Sequence, residues 1–379
     1  MKDIYTKISL LLYIFINGLF VYKYGSRQGF IEPLVLILGY IATFFGVVLL
    51  FFKGYFEFLN SKKIWSQLFP VIIVLFALVF FMIIQMTDEN ALSTDRWSAL
   101  EITVEGIIKG VYPYDRPDHV GNLSSNFPGL GYLALPFYLL GDVGYLQIFT
   151  FVVFGLYLNY RLRVVKNKYF LLFLYLFSPA LWWEVLAKSD LLSNFFLLVI
   201  CIEWLFQKRK TNFFSRPILI GGLLAFFILT RGVVLIPVII FFLKDFIQTE
   251  TRNKVISLVT GVLFVGLLCL PIMLSAINIE AIVANNPWNL QTNKAPWYAY
   301  VLLIAPVIVA FSNKNDALGY WYSGVIVFLI PFFGLINVCI VQGWRMMLFE
   351  HKFDVSYLSM TFPFMFVYLK HYLENKNVV

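Results

Sequence analysis

The chain has 379 residues and a formal net charge of +8, with 60% hydrophobic, 19% aromatic and only 13% charged residues; its mean hydropathy is +0.81. A soluble domain of this length has no interior large enough for so much apolar surface, so the composition excludes a water-soluble globule and implies an integral membrane protein. The basic residues fall in short gaps between apolar runs, a pattern of membrane topology that excludes nucleic-acid binding as the reason for the charge.

Apolar runs of roughly 16 to 22 residues recur along the chain, each near the ~20 needed to cross a bilayer as a helix, and exclude the alternating strands of a β-barrel. The first, Ile8 to Tyr22, lacks a small-residue cleavage site and is followed by Lys23 and Arg27, so it reads as a retained span. Basic clusters occupy alternate gaps: Lys53, Lys62 and Lys63; Arg161, Arg163, Lys166 and Lys168; Lys208, Arg209 and Lys210; Arg252 and Lys254. With these in the cytoplasm, the chain threads through about twelve spans with both termini inside. The spans are expected near 6–22, 32–52, 67–86, 144–160, 169–184, 189–206, 214–230, 233–247, 254–275, 296–311, 320–341 and 355–372. The fold class is therefore an all-α polytopic membrane protein, with one transmembrane domain over 1–379. A bacterial inner membrane is the default location. Cys201, Cys269 and Cys339 fall singly inside predicted spans and read as packing residues.

The longest polar interruption is 87–142, expected as an outer loop with juxtamembrane helices inside it. Residues 93–109 mix Trp97, Leu100, Ile102, Val104, Ile107 and Ile108 with Asp95, Arg96, Glu101 and Glu105, as suits a helix lying on a membrane surface. The run Phe127 to Leu140 is short for a crossing and holds Pro128 and Pro136. As a full span it would place the basic loop after Tyr160 outside, so it is expected as an interfacial helix.

Seven acids of this loop stand out: Asp88, Glu89, Asp95, Glu101, Glu105, Asp115 and Asp118. Ser93, Thr94 or Asp95 can each cap the helix that follows. Lys188 and Arg231 sit at predicted outer ends of span hairpins, where a cation either serves function or snorkels to lipid headgroups. Arg345, His351 and Lys352 are further cations of the last outer loop. His119, beside Asp118, is a possible base or metal ligand with no second histidine near it. Asn122-Leu123-Ser124 fits a glycosylation sequon. Trp182, Trp183, Trp288, Trp297 and Tyr298 suit either sugar stacking or the aromatic belt.

The run Asp95 to Tyr114, DRWSALEITVEGIIKGVYPY, resembles the first outer loop of GT-C glycosyltransferases, the membrane enzymes that use polyprenyl-phosphate-linked sugars. In several of those families an Asp opens a juxtamembrane helix and is followed by Gly-x-x-Pro-Tyr, as Asp95 is here by Gly110 to Tyr114. Asn126 to Leu130 is similar to the next element, an aromatic and proline entry to an interfacial helix. Ser178-Pro179-Ala180 with Ala187-Lys188-Ser189-Asp190 is similar to the family's Pro…Ser-Arg…Asp region. The order His351, Asp354, Tyr357, Pro363 resembles an ending seen in relatives. Three departures stand: Lys188 replaces the usual Arg, two spans precede the one leading into the loop, and no second acid adjoins Asp95.

The resemblance implies a mannosyltransferase-like enzyme that moves a sugar, with inversion, from a lipid-linked donor to a hydroxyl of a glycan or lipid acceptor, with membrane lipids around it and no nucleic-acid partner. Asp95 is then the expected base, with Glu101 and Glu105 as weaker alternatives, and Lys188 and Arg231 hold the donor phosphate. Asp190, Glu105, Tyr114, His119, Arg345 and His351 complete the expected substrate-binding set. No resident cofactor or metal ligand set is expected, the donor is a co-substrate, and dependence on a divalent metal is left open by the sequence. The rival readings are a transporter or lipid flippase, which would gather its charges near the midplane in paired halves, and a polysaccharide polymerase or ligase, which would rely on a late outer loop.

Overall fold

The computed structural model describes residues 3–209, 212–292, 297–313, 315–350 and 353–376. Among them the chain is helical, with a single isolated β-bridge between Pro117 and Leu123. Fifteen helices carry the architecture: α1 Ile4–Gly25, α2 Pro33–Phe52, α3 Lys63–Met86, α4 Arg96–Lys109, α5 Pro128–Leu139, α6 Tyr145–Arg161, α7 Val165–Leu176, α8 Pro179–Leu186, α9 Leu191–Lys208, α10 Pro217–Ile228, α11 Leu235–Gln248, α12 Thr251–Leu274, α13 Ala305–Ser312, α14 Asp316–Gln342 and α15 Phe362–Lys376. Prolines open α2, α5, α8 and α10, where the missing N–H costs nothing and the fixed φ already suits a helix.

Among the described residues, six helices are long and apolar enough to cross a membrane: α1, α2, α3, α9, α12 and α14. A seventh arises if α7 and α8, bent by 58° at the break before Pro179, form one broken span. The other segments expected as spans are shorter. Two of them pair a 3-10 stretch with an α-helix: Trp297–Ile304 with α13, and Val355–Thr361 with α15. The coarse expectation of a helical membrane protein thus stands, with six or seven helices meeting the length and hydropathy requirement.

Exposure supports the membrane reading independently. Val262, Leu263 and Leu267 on α12 are 70%, 68% and 65% exposed, and Leu34, Leu38 and Leu49 line the open side of α2. Such a stripe is stable only against a non-aqueous solvent. The true interior lies among α1, α6, α7, α9 and α15, where Phe154, Tyr175, Phe196 and Phe366 pack with ring centres 4.4 to 5.9 Å apart. The start of α1 meets the end of α15 through the Tyr368 hydroxyl, which donates to Asp3. The opposite end of the bundle carries 87–142.

That segment folds as a helical pair. Asp95 occupies the first capping position of α4 and Gly110, at φ 63°, terminates it in the left-handed conformation, as glycine at that position allows. The α4 face of Trp97, Leu100 and Val104 packs on Leu130, Ala134 and Val143. Two glycines let α5 come close. Gly131 faces Thr103 and Ile107 of α4, while Gly129 N–H donates to Leu229 O at 2.8 Å. A Cβ on Gly129 would stand 2.7 Å from that same carbonyl oxygen. Gly129→Val is therefore expected to cost about 1–3 kcal/mol of stability, seen as a lower melting temperature of the purified protein. An unchanged value would mean that α5 does not dock this way.

Candidate functional site

Two cavities of about 350 and 430 Å³ meet at the start of α4 and share Asp95, Asn122, Phe353, Asp354 and Tyr357 in their walls. Asp95 is placed to cap α4, yet its carboxylate makes no capping hydrogen bond. Its backbone oxygen starts the helix, accepting from Ala99 N–H at 2.9 Å, and among the described residues its carboxylate accepts one bond, at 3.3 Å from Asn122 Nδ2 to Oδ2. The acid is therefore half-buried, available and directed at open space.

The turn that presents Asn122 is built locally. Asp118 Oδ1 accepts from Val120 N–H at 2.8 Å and from Asn122 N–H at 3.0 Å, and Gly121 takes φ 92°. His119 fastens this turn to α4. Its Nε2 lies 3.1 Å from Leu92 O, which can only accept, so Nε2 carries a proton; Nδ1 faces Ser98 Oγ at 2.6 Å, and the ring packs 4.8 Å from Trp97. His119 is thus a brace for the loop. Among the described residues no group of three or more His, Cys, Asp or Glu could hold a metal ion.

Beside Asp95, Arg96 turns inward. Its guanidinium pairs with Asp354 and lies 4.7 Å from the centre of the Tyr357 ring. Burial opposes ionisation of Asp354, but Arg96 and Ser356 outweigh it and hold its pKa at about 2. This arginine bridges residues 258 positions apart, and sequence reasoning treated it only as polar helix surface. The signal that was present lay at the other end, in the spacing of Asp354 and Tyr357, which do reach the cavity.

The two cations expected to hold the donor phosphate do not line a common cavity. Arg231 lines the smaller cavity, but its guanidinium makes a bidentate pair with Asp190, with Nε and Nη2 each 2.6 Å from a carboxylate oxygen; both side chains are almost fully buried. Asp190 is free for this because Glu184 caps α9 in its place: Glu184 Oε1 accepts from Leu192 N–H, Ser193 N–H and the Ser193 hydroxyl at 2.8, 2.9 and 3.1 Å. Lys188 lines neither cavity. It pairs with Glu89 and with Asp142 at 2.6 Å, tying both ends of 87–142 to the junction of α8 and α9. Those pairs hold it at φ 49°, a left-handed conformation that is unfavourable for a lysine.

The remaining expected residues lie elsewhere. Glu105 is paired with Lys109 at 2.9 Å and Arg116 at 3.6 Å and accepts from the Tyr138 hydroxyl. Tyr114 is buried against Tyr112, its hydroxyl without a partner among the described residues. Arg345 is exposed on the short helix Trp344–Leu348. His351 and Lys352 lie outside the described residues. Of the tryptophans, Trp183 lines the larger cavity and Trp288 stacks on Phe127 at 6.1 Å.

Glu101 has an unusual environment without lining either cavity. Burial, then repulsion from Glu89 and Asp142, push its pKa up to about 7 against the pull of Lys188. A folded value above the ordinary 4.5 means that the unfolded chain releases this proton first, so stability falls as pH rises from about 4.5 to about 7. Glu101→Gln is expected to raise the melting temperature at pH 8 and leave it unchanged near pH 4. Equal shifts at both pH values would show that ionisation of Glu101 is not the cause.

No protein-family model, curated protein or solved structure matches the chain.

Proposed function

We propose that the chain is a membrane glycosyltransferase of the GT-C type, transferring a sugar with inversion from a polyprenyl-phosphate-linked donor to a hydroxyl of a glycan or lipid acceptor. The observation that carries the reading is the Asp95 carboxylate, unbonded to its own helix and directed into the junction of two cavities. A bystander acid at a helix start would be expected to cap it.

In this reading the chain threads the membrane about twelve times, with the shorter helices completed by the 3-10 stretches beside them, both termini cytoplasmic and 87–142 on the non-cytoplasmic face of a bacterial inner membrane. The threading agrees with the charge distribution.

The acceptor hydroxyl gives its proton to Asp95 as its oxygen bonds to the anomeric carbon. The bond from that carbon to the phosphate oxygen breaks on the opposite face, and the electron pair leaves with the lipid phosphate. Asn122 orients Asp95. The Arg96, Asp354 and Tyr357 assembly forms a rigid wall beside the reacting atoms, and Arg231 is held by Asp190 at the far side.

The test is a panel of lipid-linked sugars incubated with purified protein and candidate glycan and lipid acceptors. Glycoside formation supports the reading. Solute uptake into proteoliposomes without any glycoside would replace it with a transporter.

A further inference from the structure

Among the described residues, the buried cations near the candidate site form close ion pairs within the fold, except Lys23. Lys188 has Glu89 and Asp142, Arg231 has Asp190, and Arg96 has Asp354. Lys23, in the last turn of α1, is 2% exposed and has no ion pair among the described residues. Its ammonium lies 5.7 Å from the centre of the neighbouring Tyr24 ring, and its side chain lines the larger cavity. Arg27, one turn further on and exposed, sits 4.9 Å from the centre of the same Tyr24 ring and lines the same cavity. The Asp354 carboxylate on the same wall attracts the Lys23 ammonium from a distance while Arg27 repels it, so the cation is only partly compensated where it meets the cavity, and an anion entering there would complete its pairing.

The two cavities also differ in charge. The walls of the larger hold three cations, Lys23, Arg27 and Arg96, against the carboxylates Asp95 and Asp354. The smaller holds the same two carboxylates against Arg231 alone, whose charge is already met by Asp190 behind it. Asp95 stands where they join. The smaller arm adds Gln291 to the Asn122 and Ser125 that both cavities share, and suits a neutral, hydroxyl-rich group.

We propose that the arm of the cavity lined by Lys23 and Arg27 is a phosphate-ester subsite, with Lys23 as its principal cation. This rests on the transferase reading and names where the donor's charged group goes. A lysine at the base and an arginine at the mouth suit a tetrahedral anion approached from several sides. The wall beside them is apolar, from Trp183, Leu186 and Ala187, which favours a lipid-linked phosphate over a soluble one. As the glycosidic bond to phosphate breaks, the phosphodiester monoanion becomes a monoester with further negative charge, and the Lys23 ammonium stabilises the charge that develops.

Binding of undecaprenyl phosphate, undecaprenol and inorganic phosphate to the purified protein in nanodiscs tests the assignment. Lys23→Gln is expected to weaken undecaprenyl phosphate binding roughly tenfold or more and leave undecaprenol binding unchanged. Arg27→Gln is expected to give a smaller loss that disappears at high salt. Unchanged undecaprenyl phosphate binding by Lys23→Gln overturns the subsite. Inorganic phosphate binding as tightly as undecaprenyl phosphate overturns the lipid-linked assignment. Lys23→Met provides a control that does not depend on ligand: removal of a buried charge that forms no close ion pair among the described residues is expected to raise the melting temperature without phosphate, and a lower one would show that its attraction to Asp354 is structural and overturn the proposal. The two readings fail separately. Lys23-dependent phosphate binding without transfer from any lipid-linked sugar sinks the transferase and keeps the subsite, whereas transfer that survives intact in Lys23→Gln sinks the subsite and keeps the transferase.

Discussion

Asp95→Asn protein is expected to insert and fold like the wild type and to lose transfer by roughly 10²- to 10⁴-fold, the usual worth of a positioned general base. The separation of the two effects follows from the geometry. The carboxylate makes no bond to its own helix, and its 3.3 Å contact with Asn122 is long, so an isosteric amide removes little stability. What it removes is the capacity to accept the acceptor's proton. Glu105→Gln provides the contrast, because Glu105 is occupied by Lys109 and Arg116 on the loop surface, and its loss should change the rate by less than about threefold. Rates measured with one lipid-linked donor on both variants decide the matter; similar losses would move the base away from Asp95.

Arg231→Met is expected to destabilise the protein by about 3–5 kcal/mol, because it leaves the Asp190 carboxylate buried without a partner. Asp190 is 2% exposed and has both oxygens committed to this guanidinium, so water cannot easily take over. The double variant Arg231→Met with Asp190→Leu is expected to recover most of the loss, since replacing both members removes the charge and its partner together. Thermal unfolding of the two variants beside the wild type reads the coupling. Equal melting temperatures for single and double variants would mean that the pair is not buried as described.

These two cases mark how far the sequence could be read. The membrane class followed from composition, and the helical pair in 87–142 from apolar spacing, Pro128 and Gly110, since each is a local property of a few neighbouring residues. Asp95 was singled out by the resemblance of Asp95 to Tyr114 to a GT-C outer loop, against the alternative that it caps the helix; the structure keeps it at the helix start and leaves its carboxylate unused as a cap. The partners of the cations are set over distance. Lys188 meets Glu89 from 99 positions away and Asp142 from 46, and nothing in Ala187-Lys188-Ser189-Asp190 foretells that these acids neutralise the lysine while Asp190 turns to Arg231. Arg96 lies next to the residue that sequence analysis chose, but its partner Asp354 comes from the far end of the chain. Lys23 reads as an ordinary basic residue at the end of an apolar helix, where cations usually meet lipid headgroups; only the packing around α1 reveals it facing a cavity. Helix length was a further limit. Apolar runs were counted as single spans, whereas the chain breaks several with proline and 3-10 turns, as between Leu176 and Pro179.

The most direct measurement of the central claim is the stoichiometry and anomeric configuration of the product formed from a polyprenyl-phosphate sugar of known configuration, followed by NMR together with release of the lipid phosphate. The account predicts one lipid phosphate released for each glycoside made, with the configuration inverted. Retained configuration would contradict single displacement assisted by Asp95, and lipid phosphate release without a glycoside would contradict transfer to a hydroxyl acceptor.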